Sequence, residues 1–163
     1  MQKNYQQLIF MKNNFVSSQQ IPVAMAIIHQ EGKYLMQLRD DLQEILYPGV
    51  WGLFGGHLEP GEDPEAGLKR ELIEEIGYRV EKLTEFRCYG DDRIMRYMYS
   101  CPLLVPIEEL QLNEGQDSGL LTAKEIEEGF GYSHRLKEKR PLGDIHRQMM
   151  LDFITAQTSK NLM

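Results

Sequence analysis
A single α/β domain built on a mixed sheet is what this sequence predicts, and three observations carry the expectation. Segments rich in β-branched and aromatic residues are interspersed with helical ones rather than separated into blocks, the order expected when helices cover a sheet. The stretch Gly56 to Tyr78, GHLEPGEDPEAGLKRELIEEIGY, runs from a glycine turn into a helix with clear start and stop signals. With 163 residues and no linker-like shift in composition, one substantial core is expected.

Taken in order, residues 1–20 are rich in Gln, Asn and Ser, with Lys3 and Lys12 their only charges. They show no periodicity and read as an N-terminal arm of partly disordered composition. The domain is expected over residues 21–156, with a C-terminal tail over 157–163. PVAMAIIHQ after Ile21 and the run Lys33 to Leu38 flank Glu31-Gly32, which predicts a β-hairpin. Arg39 to Gln43 loops out, and Tyr47-Pro48-Gly49 turns the chain into a strand at Trp51 to Phe54 that ends on Gly55-Gly56. Asp63 is suited to cap a helix, Pro64 to its first position and Gly77 to its left-handed end, so the helix runs from about Pro64 to Ile76. Tyr78 to Tyr89 and Arg93 to Val105 read as paired strands about Gly90-Asp91-Asp92. Thr122 and Glu125 fit a capping box for a short helix ending near Gly129. Asp144 is placed to cap a last helix, in which Ile145, Met149 and Phe153 recur at helical spacing, and His134 to Arg140 between them is basic and unpatterned.

Charge narrows the partners. Eighteen Lys plus Arg against 25 Asp plus Glu leave a formal charge of -7, which argues against nucleic acid or an anionic membrane held by bulk electrostatics. Cys88 and Cys101 would fall far out of register in the hairpin, opposite residues near 94 and 81, so a reducing cytoplasm fits. The apolar run Leu8 to Met11 is too short for a signal peptide or a membrane span, and is a candidate contact in a homodimer.

The helix carries the chemistry. At about 100° per residue, Glu71, Glu74 and Glu75 share one arc, while Ala66, Leu68, Leu72, Ile73 and Ile76 occupy another. Like charges at this spacing repel by a few tenths of a kcal/mol per pair, roughly, so something should neutralise them. A hard divalent cation with oxygen ligands does so and draws a polyanionic substrate to an acidic protein. Arg70 is placed to donate to Glu62, and Gly67, on the carboxylate arc, leaves room for a metal-bound phosphate. A run of Glu and Arg is by itself more often a solvated face. The spacing decides otherwise: Gly56, Glu62, Arg70, Glu71, Glu74, Glu75 and Gly77 fit G-x5-E-x7-R-E-U-x-E-E-x-G-U, with Leu72 and Tyr78 at the apolar U positions. From average residue usage, a chance match in a chain this long has a probability of about one in a million or less.

That pattern is the Nudix box, and the sequence resembles the Nudix hydrolases, whose α/β/α sandwich with a mixed sheet agrees with the element order from about residue 21 to 156. The resemblance implies water attacking a phosphorus of a nucleoside diphosphate linked to another moiety. It implies Mg²⁺ or Mn²⁺ held by Glu71, Glu74, Glu75 and the carbonyl of Gly55, and an orienting pair in Glu62 and Arg70. Glu71 and Glu114 are both candidates for the general base. Phe54, where a Pro often precedes the two glycines, and Tyr78, where an aliphatic residue is usual, depart from the common pattern. No proline lies between Pro64 and Pro102, so the marker of ADP-ribose hydrolases is missing. A (d)NTP or oxidised (d)NTP, cleaved to NMP and pyrophosphate, ranks first as substrate. A nucleotide sugar, a dinucleoside polyphosphate and a non-catalytic nucleotide-sensing module are the alternatives.

Outside the box, Arg39, Trp51, His57, Arg96 and Tyr97 are candidates for binding the nucleotide. Each has a competing role: core for Trp51, sheet packing for Tyr97 and Tyr99, a solvated turn for His57, and ordinary surface for Arg39, Arg93 and Arg96. The basic run Arg135, Lys137, Lys139 and Arg140 reads as a solvated loop, or as a flap over an anionic substrate.

Overall fold
The computed structural model describes residues 20–163, so the arm and the Leu8 to Met11 run fall outside the described residues apart from Gln20. Strands β1 (Ile21–Gln30) and β2 (Lys33–Leu38) form the expected hairpin, followed by β3 (Trp51–Gly52), β4 (Phe54–His57) and helix α1 (Pro64–Ile76). Then come β5 (Thr84–Gly90), β6 (Ile94–Pro102), β7 (Asp117–Thr122), α2 (Ala123–Glu128), β8 (Phe130–Ser133), β9 (Glu138–Pro141) and α3 (Asp144–Asn161).

The main sheet is mixed. Its order is β3-β2-β1-β6-β5, with β4 also paired to β1 and β7 to β2. Among the described strands β1 and β6 form the one parallel pair, in unbroken register from Ile21 opposite Ile94 to His29 opposite Pro102. Because side chains alternate along a strand, β1 feeds two cores. Ala24, Ala26 and Ile28 pack with Leu35, Phe54, Tyr97 and Tyr99 under Leu68, Leu72 and Ile76 of α1. Ile27 packs on the other side with Met36, Leu38, Trp51, Leu53 and Met98 against Met149, Met150 and Phe153 of α3. The result is an α/β/α sandwich.

Several expectations change. Residues 78–83 are not strand: the pairing of β5 with β6 stops at Thr84 opposite Ser100. Tyr78, Val80 and Leu83 instead bury their side chains in the α1 core. Cys88 faces Tyr97 rather than residue 94, because the Asp91 carboxylate accepts from the amides of Arg93 and Ile94 and moves the tip of the hairpin, and a bulge follows between Glu85 and Arg87. Both cysteines are free thiols. The supposedly unpatterned basic segment is half of the β8–β9 hairpin, and β7 is a full strand on β2. Ile73 and Ala66 are exposed, not packed. Gly143 is the N-cap of α3 and Asp144 lies just inside the helix, which runs on to Asn161; the expected tail is therefore largely helical, with Thr158 and Ser159 hydroxyls donating to carbonyls one turn back.

Candidate active site
Local chemistry fixes the helix first. The Asp63 side chain accepts from the Ala66 amide at 3.0 Å, and Gly77, left-handed at φ 63°, ends α1 with its amide on the Ile73 carbonyl. Antiparallel pairing of β4 with β1 sets Gly55 opposite Met25 and Gly56 opposite Ala24, directly beneath the helix. The fit leaves no room for a side chain: a Cβ on Gly56 would lie 2.6 Å from the Glu71 carboxyl carbon, and one on Gly55 would lie 2.1 Å from the Ala24 carbonyl oxygen.

The pair expected between Glu62 and Arg70 is present and bidentate. Arg70 Nε donates to Glu62 Oε1 at 2.9 Å and a terminal nitrogen to Oε2 at 3.0 Å. The Arg70 hydrogen bond, followed by one from the Glu59 amide, holds the Glu62 carboxyl down at about 2. Arg70 reaches further, to the His57 carbonyl at 3.3 Å, to Glu71 Oε1 at 2.8 Å and to Glu74 at 3.4 Å. It therefore ties the turn before the helix to the carboxylates upon it.

Glu75 is different. It is 4% exposed, and burial, then the charges of Glu114 and Glu71, push its carboxyl up to about 9 against the pull of a Gly55 backbone hydrogen bond and of Arg39. Three carboxylates thus repel one another around a buried oxygen donor, on a backbone bare of side chains at Gly56. An all-oxygen, surplus-negative donor set of this kind fits a hard divalent cation. Among the described residues no three acidic, His or Cys side chains are already gathered to hold a metal ion.

The remaining expectations divide. Arg39 lies close enough to act on Glu75, and His57 is exposed with its carbonyl on Arg70. Glu114 joins the carboxylates although it is nearly forty residues away in sequence. Trp51 does not face a ligand: it is fully buried, and its indole N–H donates to the Gly131 carbonyl at 3.0 Å. Tyr97 is buried in the α1 core, and Arg96 is buried with its guanidinium on Asp91 at 2.7 Å. Gly67 leaves no room for phosphate, since a Cβ there would lie 2.4 Å from the Leu58 side chain; the glycine lets the preceding turn pack on the helix. In the basic run, Arg140 pairs with Glu138 and Asp41, and Arg135 donates to the Gln116 carbonyl. Gln37 and Asn113 belong to no motif, yet both hold the segment that carries Glu114. The one sequence signal for Gln37 is a glutamine inside the apolar strand KYLMQL.

A model of the NUDIX domain matches residues 19–140. Among curated proteins, the chain is similar to the nucleoside triphosphatase NudI of Escherichia fergusonii, 36% identical over 78 residues that cover 46% of this chain and 54% of that protein. It is also similar to NudI of an Enterobacter species, 42% identical over 60 residues covering 36% and 41%. The matched segment spans about half the length of these curated relatives. Among solved structures, the Escherichia coli ORF135 protein shares 25% identity at a TM-score of 0.66, over 86% of this chain and 93% of that one. The NUDIX domain of Shewanella oneidensis NrtR, complexed with ADP ribose, shares 16% identity at a TM-score of 0.63, over 96% and 99%. The latter likeness speaks to fold alone. With the family match spanning most of the chain, and the glycine turn, orienting pair and acidic helix in place, this chain belongs to the NUDIX domain family.

Proposed function
We propose that this chain hydrolyses a nucleoside triphosphate, ordinary or oxidised, to the monophosphate and pyrophosphate, with Mg²⁺ or Mn²⁺ held by Glu71, Glu74, Glu75 and the Gly55 carbonyl. The observation that carries the proposal is the buried Glu75, hydrogen-bonded to the Gly55 backbone and opposed by the charges of Glu114 and Glu71, the latter packed on Gly56. The family supports hydrolase chemistry on small nucleotides, and the nucleoside triphosphatase activity for which the NudI relatives are named favours the triphosphate over a nucleotide sugar or a dinucleoside polyphosphate.

When bound, a divalent cation here supplies charge neutralisation to the phosphate oxygens and acidifies water. The residues do the rest. Glu62 and Arg70 orient the helix. Glu114 is the better base of the two candidates, because Glu71 is already ion-paired to Arg70 whereas the Glu114 side chain is exposed and has no hydrogen bond among the described residues. Water adds to phosphorus, the bond to the bridging oxygen between the α- and β-phosphates breaks, pyrophosphate leaves, and the water proton passes to the Glu114 carboxylate. Arg39 and His57 remain the candidates for contacts to the nucleotide. The two free cysteines suit a cytoplasmic location, and no helix among the described residues is long and apolar enough to cross a membrane.

A panel of nucleotides, oxidised nucleotides and nucleotide sugars with Mg²⁺ or Mn²⁺, its products identified by anion-exchange chromatography, tests the proposal. Monophosphate and pyrophosphate are expected. A sugar phosphate as the main product overturns the substrate, and binding without turnover across the whole panel makes the chain a nucleotide-sensing module instead.

A further inference from the structure
Glu114 sits on an exposed loop with no regular structure, yet that loop is stitched at both ends. At its start, Asn113 donates from its backbone amide to the Glu75 carbonyl at 2.8 Å and from its side chain to the Glu74 carbonyl at 2.9 Å. Both acceptors are carbonyls of the last turn of α1, which the helix itself cannot satisfy. At its end, Gln116 donates from its amide to the Leu38 carbonyl at 2.8 Å and from its side chain to the Arg39 carbonyl at 2.9 Å. Between the two, Gln37 donates from Nε2 to the carbonyl of Glu114 itself, at 2.8 Å.

Gln37 is an unusual choice for its position. Its neighbours Met36 and Leu38 enter the α3 core, so alternation turns Gln37 toward the α1 side with Leu35. It is 2% exposed, and a buried amide is tolerated only where its polar atoms are bonded. The chain on the other side is shaped to meet it. Gly115 has φ +92°, and a Cβ there would lie 2.8 Å from Gln37 Cγ and 2.9 Å from the Leu38 carbonyl oxygen. A side chain at 115 would push the loop off β2, and an apolar residue at 37 would leave the Glu114 carbonyl unheld.

We infer that Gln37, with Gly115 as its close-packed counterpart, is a positioning residue that holds Glu114 over the carboxylate end of α1. A rigid strand thereby aims a side chain that its own loop leaves free. The inference deepens the hydrolase reading and rests on it only for the kinetic part of the test, because a misplaced base lowers turnover more than substrate binding.

The test uses the full chain and Gln37→Met, which keeps the volume and removes the donor. Hydrogen exchange at the amides of Asn113 and Gln116 should accelerate about tenfold or more, with α1 amides unchanged. On the nucleotide the wild type cleaves, kcat should fall about 10- to 100-fold with KM within about threefold. Combined with Glu114→Gln, Gln37→Met should cause almost no further loss, because a residue that acts through Glu114 has nothing left to position. Gly115→Ala should give the same pattern, and serves if Gln37→Met does not fold. Unchanged exchange at Asn113 and Gln116 overturns the inference even in a chain that cleaves nothing. So does a kcat loss that multiplies in full onto that of Glu114→Gln, or full turnover in Glu114→Gln. A wild type that cleaves no nucleotide defeats the hydrolase reading separately.

Discussion

One layer of the sandwich buries His146 and the other buries Glu75, and the two are buried on different terms. In the α3 layer His146 is 3% exposed, yet its Nδ1 accepts from the Leu53 amide at 3.1 Å, with Tyr47 edge-on at 6.0 Å. Burial, reinforced by the positive charges of Arg39 and Arg96, pushes the imidazole down to about 3, and it stays neutral. In the α1 layer Glu75 is as deeply buried, but the charges of Glu114 and Glu71 oppose its own more strongly than Arg39 favours it. The histidine has its acceptor satisfied by a backbone amide, and the glutamate shares its surroundings with two further carboxylates. Burial alone does not mark a functional site; a buried acid that shares its surroundings with two more carboxylates is a stronger mark than a histidine whose ring nitrogen already holds a backbone amide.

That contrast can be broken by substitution, and the largest effect should come from the site. Glu75→Gln should lower kcat about a thousandfold, close to 4 kcal/mol of barrier, while the melting temperature holds or rises, because a repelled buried carboxylate has been removed. A variant that melts early but still turns over would make Glu75 a structural residue. Gly56→Ala should cost about a hundredfold in kcat by displacing the Glu71 carboxylate, against a small change in melting temperature; steady-state kinetics beside a thermal melt separates the two.

The α3 layer should answer to pH instead. The folded-state pKa of His146 lies below the 6.5 of an unperturbed histidine, so the unfolded chain binds the extra proton. Stability from the neutral imidazole is therefore complete above pH 6.5 and drains away as pH falls toward about 3, by at most about 1.4 kcal/mol per pH unit. His146→Gln should flatten that part of a urea-denaturation profile, and an unchanged acid slope would show that other groups dominate it. The smallest effect should come from Trp51→Phe, which loses the bond to Gly131 at about 1 kcal/mol of stability with KM unchanged. A raised KM would return Trp51 to the nucleotide.

What the sequence disclosed follows the same division. The helix from Pro64 to Ile76, its caps and the Glu62–Arg70 pair were legible because their partners lie within about a turn or two of one another, and the spacing of the residues is itself the geometry. The capping box at Thr122 and Glu125 was legible for the same reason, and the structure shows both of its hydrogen bonds. Gln37 was not, because its partner is 77 residues away and only the sheet brings them together. Gly67 shows how a right position can carry a wrong reason: the residue it accommodates is Leu58 of the preceding turn. The β8–β9 hairpin is not legible in the sequence, since half of it is charged and it is held by Trp51 and by Ser133 on Asp117 rather than by an apolar stripe of its own.

The parallel pairing of β1 with β6 has a consequence for how the chain is made. Residues 21 to 57 hold β1, β2, β3 and β4, and α1 follows at once, so that helix can dock on β1 early in synthesis. The other edge of β1 stays bare until Ile94–Pro102 has left the ribosome. Non-local pairing of this kind closes slowly and leaves an unpaired strand exposed to other chains. A weakened β6 should therefore reveal itself first as aggregation of newly made protein, in chains whose active-site helix is already formed.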